Sequence, residues 1–187
     1  MKTVKAMKAR TAARTAPAPV KHAPVISFVG RSNSGKTTLL ERIIPELRGR
    51  GLRIATIKHD VHSYETDCPG KDTWKHARAG AEVVVLAAPD RLTSFRALDR
   101  EWSLDEIAST ISGVDLIITE GYKRADKPKI EVWRGDEEKK PLCGPADRLI
   151  AIASDRPRPG FGVPWFDLGQ PAALADFISQ ELKAGRL

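Results

Sequence analysis

The 187-residue sequence contains only two cysteines, and its first 22 residues contain no aspartate or glutamate. Cys68 and Cys143 are far apart and form no CxxC motif, which argues against a disulfide framework or a zinc site and favours free thiols in a reducing cytoplasm. No apolar run approaches the roughly 20 residues that cross a bilayer, so we expect a soluble protein without a membrane partner. A secretory signal is disfavoured, because no apolar segment follows the basic residues at the start of the chain.

Residues 1–22 supply most of the net charge of +7, because no acidic residue offsets their lysines and arginines. Six lysines and arginines lie within residues 1–22, which leaves a net charge of about +1 for residues 23–187. This basic tail has few large apolar residues, and we predict that it is disordered. It is a solvated extension, an Arg-rich targeting peptide or a weak phosphate-binding arm. A role in nucleic-acid binding would rest on this tail alone, and we do not expect one.

From residue 24 onward, short apolar runs alternate with segments of helical spacing. Residues 25–29 are typical of a buried strand, and residues 36–48 carry an apolar stripe at helical spacing. Further strands are predicted at residues 52–57, 82–86, 91–98, 116–119, 130–133 and 149–153, and further helices at 71–79, from 103 onward and at 172–182. Strands separated by helices favour a mainly parallel sheet flanked by helices, and we assign residues 23–187 to one α/β domain of this kind.

A phosphate-binding motif follows the first predicted strand. Residues 30–37, GRSNSGKT, match G-x-x-x-x-G-K-[ST] between a strand and a helix, which predicts a P-loop NTPase fold. Glycines let successive N–H groups converge on phosphates, and the helix adds its positive N-terminal end. Lys36 can reach the β and γ phosphates, and the Thr37 hydroxyl can bind Mg²⁺. We expect the nucleotide to contact Gly30, Asn33, Ser34, Gly35, Lys36, Thr37 and Thr38.

Two carboxylates are candidates for the magnesium side of the site. Glu120 ends an apolar strand, and Asp60 follows the second strand within the sequence Lys-His-Asp. Ligands of open parallel sheets bind beyond the carboxyl ends of the strands, so both side chains can lie near the phosphate loop. We expect Asp60, Glu120 and Thr37 to organise Mg²⁺, and Asp60 and Glu120 to take the catalytic roles. The plainer interpretation of both acids is an exposed loop or strand-end residue.

Other polar residues near strand ends are candidates for binding a partner or a substrate. They are His59, Asp67, Lys71, Asp72, Lys123 and Lys129. Solvated loops are the simpler explanation for such charged runs, and docking of a phosphate-bearing partner is the more specific one. Asp155 follows the strand at 149–153, where many GTP-binding folds place an aspartate against guanine. The usual N/T-K-x-D pattern is missing there, so guanine recognition and a simple turn both stay open.

Taken together, these motifs resemble the MobB family, molybdopterin-guanine dinucleotide biosynthesis protein B, over about residues 25–153. The resemblance rests on the phosphate loop followed in order by IKHD (57–60), PGKDT (69–73), EGYK (120–123) and PKIEV (128–132). It implies a GTP-binding protein with weak GTPase activity that is usually a homodimer. It also implies GTP and Mg²⁺ as ligands. Its partners would be molybdopterin and the nucleotidyltransferase that attaches GMP to it.

An ATP-dependent small-molecule kinase is the alternative. It would bind its acceptor with residues 59–72 and 123–129. A kinase usually closes an Arg-rich lid over the phosphates, and the stretch 156–158 is short for that purpose. No Arg finger or water-positioning Gln is identifiable, so we expect slow hydrolysis by the protein alone.

Overall fold

The computed structural model describes residues 22–59, 67–135, 140–157 and 160–187. Two compact units divide the chain: the larger contains Pro19–Ser63 and Leu104–Leu187, and the smaller contains Tyr64–Ser103. The sequence patterns predicted one domain over residues 23–187 and do not separate these units. The predicted disorder of residues 1–22 falls, except for His22, outside the described residues. No helix of the described chain is long and apolar enough to span a bilayer.

The larger unit is a parallel sheet with helices on both faces. It begins with β1 (Val25–Val29), α1 (Lys36–Gly49) and β2 (Ile54–Lys58). The smaller unit follows in the chain and contains α2 (Asp72–Arg78), β3 (Val83–Ala88) and β4 (Arg91–Arg96). The larger unit then continues with α3 (Leu104–Ser109), β5 (Leu116–Glu120), β6 (Lys129–Trp133), β7 (Leu149–Ser154), β8 (Trp165–Asp167) and α4 (Pro171–Lys183). Its six strands lie in the order β2-β5-β1-β6-β7-β8, and every neighbouring pair is parallel. The predicted α/β P-loop fold is confirmed.

Alternation along the central strands divides the core between the two faces of the sheet. Ile26 and Phe28 on β1 pack with Ile43 on α1 and Ile178 on α4. Val25 points to the opposite face, where it packs with residues of β5 and α3. Since both faces are covered, β1 has the sequence VISFV, which is apolar except for the buried Ser27, instead of a regular polar–apolar alternation.

Several element boundaries differ from the sequence prediction. The second strand begins at Ile54 instead of residue 52 and extends to Lys58. The three-residue strand β8 was not predicted, because so short a run has no measurable periodicity. Neither difference moves the phosphate loop, which leaves β1 at the carboxyl edge of the sheet.

The smaller unit is an antiparallel hairpin with one short helix. Strands β3 and β4 pair with each other in a separate two-stranded sheet, and α2 contacts β3. Among the described residues of this unit, only Val84 is buried. The strands themselves were correctly predicted, but periodicity cannot tell which sheet a strand joins.

Candidate nucleotide-binding site

The phosphate loop connects β1 to α1 in a conformation that requires glycine. Gly30 has φ of +152°, and a β-carbon there would lie 2.7 Å from Ser34 Oγ and closer still to the carbonyl oxygen of Val132. Gly35 has φ of +90° and accepts the first bond of α1, from the Leu39 N–H at 2.9 Å. Because side chains are disfavoured at both glycines, the two ends of the motif are set by backbone geometry.

The Lys36 ammonium lies within the loop. It donates hydrogen bonds to the carbonyl oxygens of Gly30 at 3.1 Å and Arg31 at 2.8 Å. Burial lowers the pKa of Lys36, the negative charge of Glu120 opposes that shift, and the positive charge of Lys58 adds to it. An anion bound in the loop would relieve both the burial and the repulsion, so this lysine is suited to a phosphate ligand.

Thr37 and Glu120 meet at the carboxyl edge of the sheet. The Thr37 hydroxyl donates to the two carboxylate oxygens of Glu120, at 2.9 and 3.1 Å. This contact arises because β5 lies beside β1 with Glu120 in register with Phe28, which places the carboxylate next to the start of α1. The sequence analysis assigned both residues to Mg²⁺, and the structure brings them together.

The residues around the loop fit a bound polyphosphate. The Ser34 hydroxyl is buried and has no hydrogen-bond partner in the described part of the chain. A pocket of about 630 Å³ opens over other residues of the loop. The described residues lining this pocket are Ser32, Asn33, Gly35, Lys36, Thr37, Thr38, Lys58, His59, Glu120 and Arg134. A phosphate oxygen is the kind of acceptor that an unpartnered hydroxyl and an ammonium require.

The end of β2 forms a second wall of the pocket. Lys58 is in register with Glu120 on β5, and the His59 N–H donates to the Glu120 carbonyl oxygen at 3.0 Å. The His59 ring lies 4.6 Å from the ring of Tyr122. His59, expected to bind a partner or substrate, therefore faces the nucleotide pocket. Asp60 lies outside the described residues, and its catalytic and metal-binding roles stay predictions.

Comparison with known families identifies the fold that carries this pocket. The profile of MobB, described as "Molybdopterin guanine dinucleotide synthesis protein B", matches residues 25–155. The chain belongs to the MobB family. The matched region begins at β1 and ends just after β7, so it includes the phosphate loop and both flanking strand ends.

Two curated relatives and one solved structure match most of this chain. A Haemophilus influenzae protein called "Molybdopterin-guanine dinucleotide biosynthesis adapter protein" is 36% identical over 85% of this chain and 89% of its own. An Escherichia coli protein of the same name is 37% identical, over 83% and 91% of the two chains. A crystal structure titled "molybdopterin-guanine biosynthesis protein B (mobB)" superposes with a TM-score of 0.69 at 35% identity, covering 85% of this chain and 99% of that one.

Two buried charges in the PKIEV segment of this MobB protein have structural partners. Lys129 is 2% exposed and donates to the carbonyl oxygens of Ala125, Lys127 and Asp147 at 2.6, 3.1 and 2.7 Å. This burial is incompatible with the exposed docking contact that the sequence analysis expected of Lys129. The charge run in the sequence was misleading, because Lys129 is the first residue of a central strand and its side chain points into the fold.

Glu131, on the same strand, binds the backbone of the segment that contains Leu142 and Cys143. Its carboxylate accepts hydrogen bonds from the Leu142 N–H at 2.8 and 2.9 Å and from the Cys143 N–H at 3.1 Å. Burial raises the pKa of Glu131, while these two N–H donors favour its ionised form. The sequence analysis gave this residue no role.

The remaining predicted site residues are not among the described residues that line the pocket. Lys123 is exposed, and so are Lys71 and Asp72 in the smaller unit, where Asp67 is partly exposed. Asp155 is exposed just beyond β7 and accepts long bonds from the Gly135 N–H at 3.3 and 3.4 Å. No contact places these five residues with a ligand, and their roles stay predictions.

Two cations of the pocket were missed from the sequence. Lys58 was seen only as part of a polar cluster, and Arg134 was not considered. Lys58 is the last residue of β2, which pairs with β5, and Arg134 directly follows β6, which pairs with β1. The signal was available in principle, since strand ends carry ligand sites, but using it requires the strand order, which the sequence does not reveal.

Proposed function

We propose that this chain binds GTP and Mg²⁺ at the phosphate loop and acts as an adapter in molybdenum-cofactor biosynthesis. Its partner would be the nucleotidyltransferase that attaches GMP to molybdopterin. The adapter role is supported by the names of its relatives. The observation that carries the nucleotide assignment is the contact of the Thr37 hydroxyl with the Glu120 carboxylate, 2.9 Å apart beside the loop lysine.

The roles of the loop residues follow from their chemistry. Lys36 and the loop N–H groups would hold the phosphates, and the unpartnered Ser34 hydroxyl would add a further donor. Thr37 and Glu120 would hold Mg²⁺, which supplies charge neutralisation between the phosphates when bound. Asp60 completes the proposed metal set. Hydrolysis is expected to be slow, because no glutamine lies among the described residues that line the pocket.

Preference for GTP is assigned to Asp155. Its carboxylate stands beyond β7, two strands from β1 on the side away from Glu120. The support is its position beyond a late strand and its exposure, which leaves it accessible to a guanine base. Its long bonds to the Gly135 N–H are weak enough to be exchanged for a ligand.

Partner contacts are assigned to exposed residues. Lys123, which follows the Glu120-Gly121 turn near the pocket, is the proposed docking cation for the nucleotidyltransferase and its molybdopterin. Asp67, Lys71 and Asp72 are proposed for partner contact on the smaller unit. Lys129 is not, because it is buried. The free thiols Cys68 and Cys143 are consistent with the proposed cytoplasmic location.

A homodimer is proposed through the hairpin of the smaller unit. Val83, Val85 and Leu92 share one face of the hairpin by register and are 37%, 52% and 70% exposed. Apolar side chains grouped on one face of a two-stranded sheet indicate an interaction surface, since such a hairpin has little core of its own. A second copy of the same face would cover it in a self-complementary contact.

The nucleotide assignment is tested by calorimetry with Mg-GTP and Mg-ATP. Lys36→Ala removes a partly buried phosphate contact, which costs about 2–5 kcal/mol, so GTP affinity should fall by roughly 1.5 to 3.5 decades. The matched control is Lys183→Ala, at an exposed lysine at the end of α4, and it should leave GTP affinity unchanged.

Three results would contradict the proposal. Unchanged GTP affinity in Lys36→Ala would remove the loop assignment. Tighter binding of ATP than of GTP would remove the guanine assignment. Transfer of a labelled γ-phosphate to a small molecule, at the roughly 1–100 s⁻¹ typical of kinases, would instead identify a kinase.

A further inference from the structure

Arg134 places a guanidinium group beside the phosphate loop. It directly follows β6, the strand that pairs with β1 on the side opposite Glu120. Its Cζ and Nη2 atoms both lie 3.5 Å from the position that a β-carbon on Gly35 would occupy. Arg134 also lines the same pocket as Lys36 and Thr37. The guanidinium is therefore packed on the residue that precedes the loop lysine.

No protein group neutralises this arginine in the described chain. Within residues 22–59, 67–135, 140–157 and 160–187, the Arg134 side chain makes no hydrogen bond or ion pair. Two other arginines of the larger unit, in contrast, are paired with carboxylates: Arg50 with Glu46 and Asp176, and Arg53 with Asp115. A guanidinium in a pocket without a carboxylate partner is suited to an external anion.

The charge of the pocket points to the same conclusion. Among its described lining residues, Lys36, Lys58 and Arg134 are cationic and Glu120 is the only carboxylate. The mutual repulsion is already visible in the pKa of Lys36, which burial lowers and which the charge of Lys58 lowers further. A third cation at such a site increases the electrostatic repulsion in the empty pocket. It also increases the favourable free energy of binding a polyphosphate there.

The backbone on either side of Arg134 is tied to the fold. On the preceding strand, the Glu131 carboxylate binds the N–H groups of Leu142 and Cys143. On the other side, the Gly135 N–H donates to the Asp155 carboxylate. The backbone that carries Arg134 is therefore fixed at the edge of the pocket before a ligand arrives.

We infer that Arg134 is a second phosphate-binding cation, which contacts the polyphosphate of the nucleotide from the β6 side of the loop. The inference rests on the proposed nucleotide-binding function and adds a residue outside the phosphate-loop motif. Arginine suits the task because its planar fork can donate two parallel hydrogen bonds to one phosphate.

The test compares Arg134→Ala and Arg134→Lys with Arg48→Ala, an exposed arginine of α1 that does not line the pocket. Calorimetry with Mg-GTP and GDP measures affinity, and thermal unfolding of the ligand-free proteins measures stability. Arg134→Ala should weaken GTP binding about 10- to 100-fold, the range for one lost charged hydrogen-bonding group. Arg134→Lys should recover part of this loss, since it keeps the charge but not the fork. Arg48→Ala should bind like the wild type.

The outcomes separate this inference from the proposed function. GTP affinity within twofold of wild type in Arg134→Ala, with binding lost in Lys36→Ala, would overturn the role of Arg134 and leave the function standing. Equal weakening in the Ala and Lys variants together with a lower melting temperature without ligand would show a structural arginine and also overturn it. Wild-type protein that binds no nucleoside triphosphate would overturn both.

Discussion

The two units of this chain differ most in how much of each is buried. In the larger unit, the central strands are covered on both faces, and residues such as Phe28 and Ile118 are fully buried. In the described part of the smaller unit, Val84 alone is buried, and large apolar side chains such as Leu92 are exposed. A hairpin with a seven-residue helix cannot bury enough surface to be stable alone.

This difference separates two kinds of task. The pocket lies at the ends of strands that the core holds in place, so Thr37 and Glu120 meet within hydrogen-bonding distance beside the loop lysine. The hairpin offers an apolar face and few internal constraints, which suits the binding of another chain. The proposed nucleotide binding, which needs fixed positions, is therefore assigned to the well-packed unit, and the proposed association to the other.

The largest contrast should come from one substitution in each unit. Ile118→Ala removes a fully buried side chain from the sheet and should lower the free energy of unfolding by about 2–5 kcal/mol. Leu86→Ala, at a 54% exposed position of β3, should cost no more than about 1 kcal/mol. Urea denaturation measures both. Equal losses would show that the hairpin shares a core that its exposure does not reveal.

A smaller effect is expected when Glu131 becomes glutamine. Gln keeps one acceptor oxygen, which at the Oε2 position can accept from both N–H groups, but it loses the charge and places an NH₂ group against the Leu142 N–H at the Oε1 position. The expected loss of stability is about 1–3 kcal/mol. The control is Glu41→Gln, at an exposed position of α1. If both variants unfolded at the same urea concentration, the buried carboxylate would have no anchoring role.

The homodimer is tested on the hairpin face. Val85→Ser combined with Leu92→Ser removes the two most exposed apolar groups of the proposed interface, and the dissociation constant should rise at least about tenfold. Sedimentation velocity over a concentration series measures it. Leu86→Ser, on the opposite face of the hairpin by register, is the control. An unchanged dissociation constant in the double variant would show that the hairpin face is not the dimer interface.

The smallest effect concerns an exposed ion pair of the larger unit. Arg53 holds the pKa of Asp115 at about 2, below its ordinary value of 3.8, chiefly by a side-chain hydrogen bond. Because the folded-state pKa is the lower one, the pair stabilises the protein above about pH 4, and this contribution disappears as the pH falls toward 2.

Arg53→Met should therefore flatten the decline of stability between about pH 4 and 2, as measured by thermal unfolding across that range. Lys75→Met is the matched change in the smaller unit, where the Lys75–Asp72 contact is longer, at 3.3 Å, and both side chains are well exposed. It should leave the acid profile as it is. A wild-type slope in Arg53→Met would show that this pair contributes nothing measurable.

Sequence patterns were sufficient for most of the fold and for the centre of the site. The largely apolar runs of β1 and β5 and the glycines of the loop are local signals with local causes, and they predicted the edge of the sheet at which Thr37 and Glu120 meet. The ligand roles of Lys36, Thr37 and Glu120 stay predictions. Lys129 shows the limit of such signals. A lysine in a charged run usually lies in water, and only the strand order shows that this one points inward to three carbonyl oxygens.

Local chemistry thus determined the phosphate loop, the parallel sheet and the family, because glycine geometry, apolar periodicity and motif order are all properties of neighbouring residues. Tertiary structure alone decided which strand ends face the loop, and so brought Lys58 and Arg134 into the pocket and took Lys129 out of solvent. It also decided that β3 and β4 pair outside the main sheet. The physical reason is that strand order and burial depend on contacts between residues far apart in the chain, which no window of sequence contains.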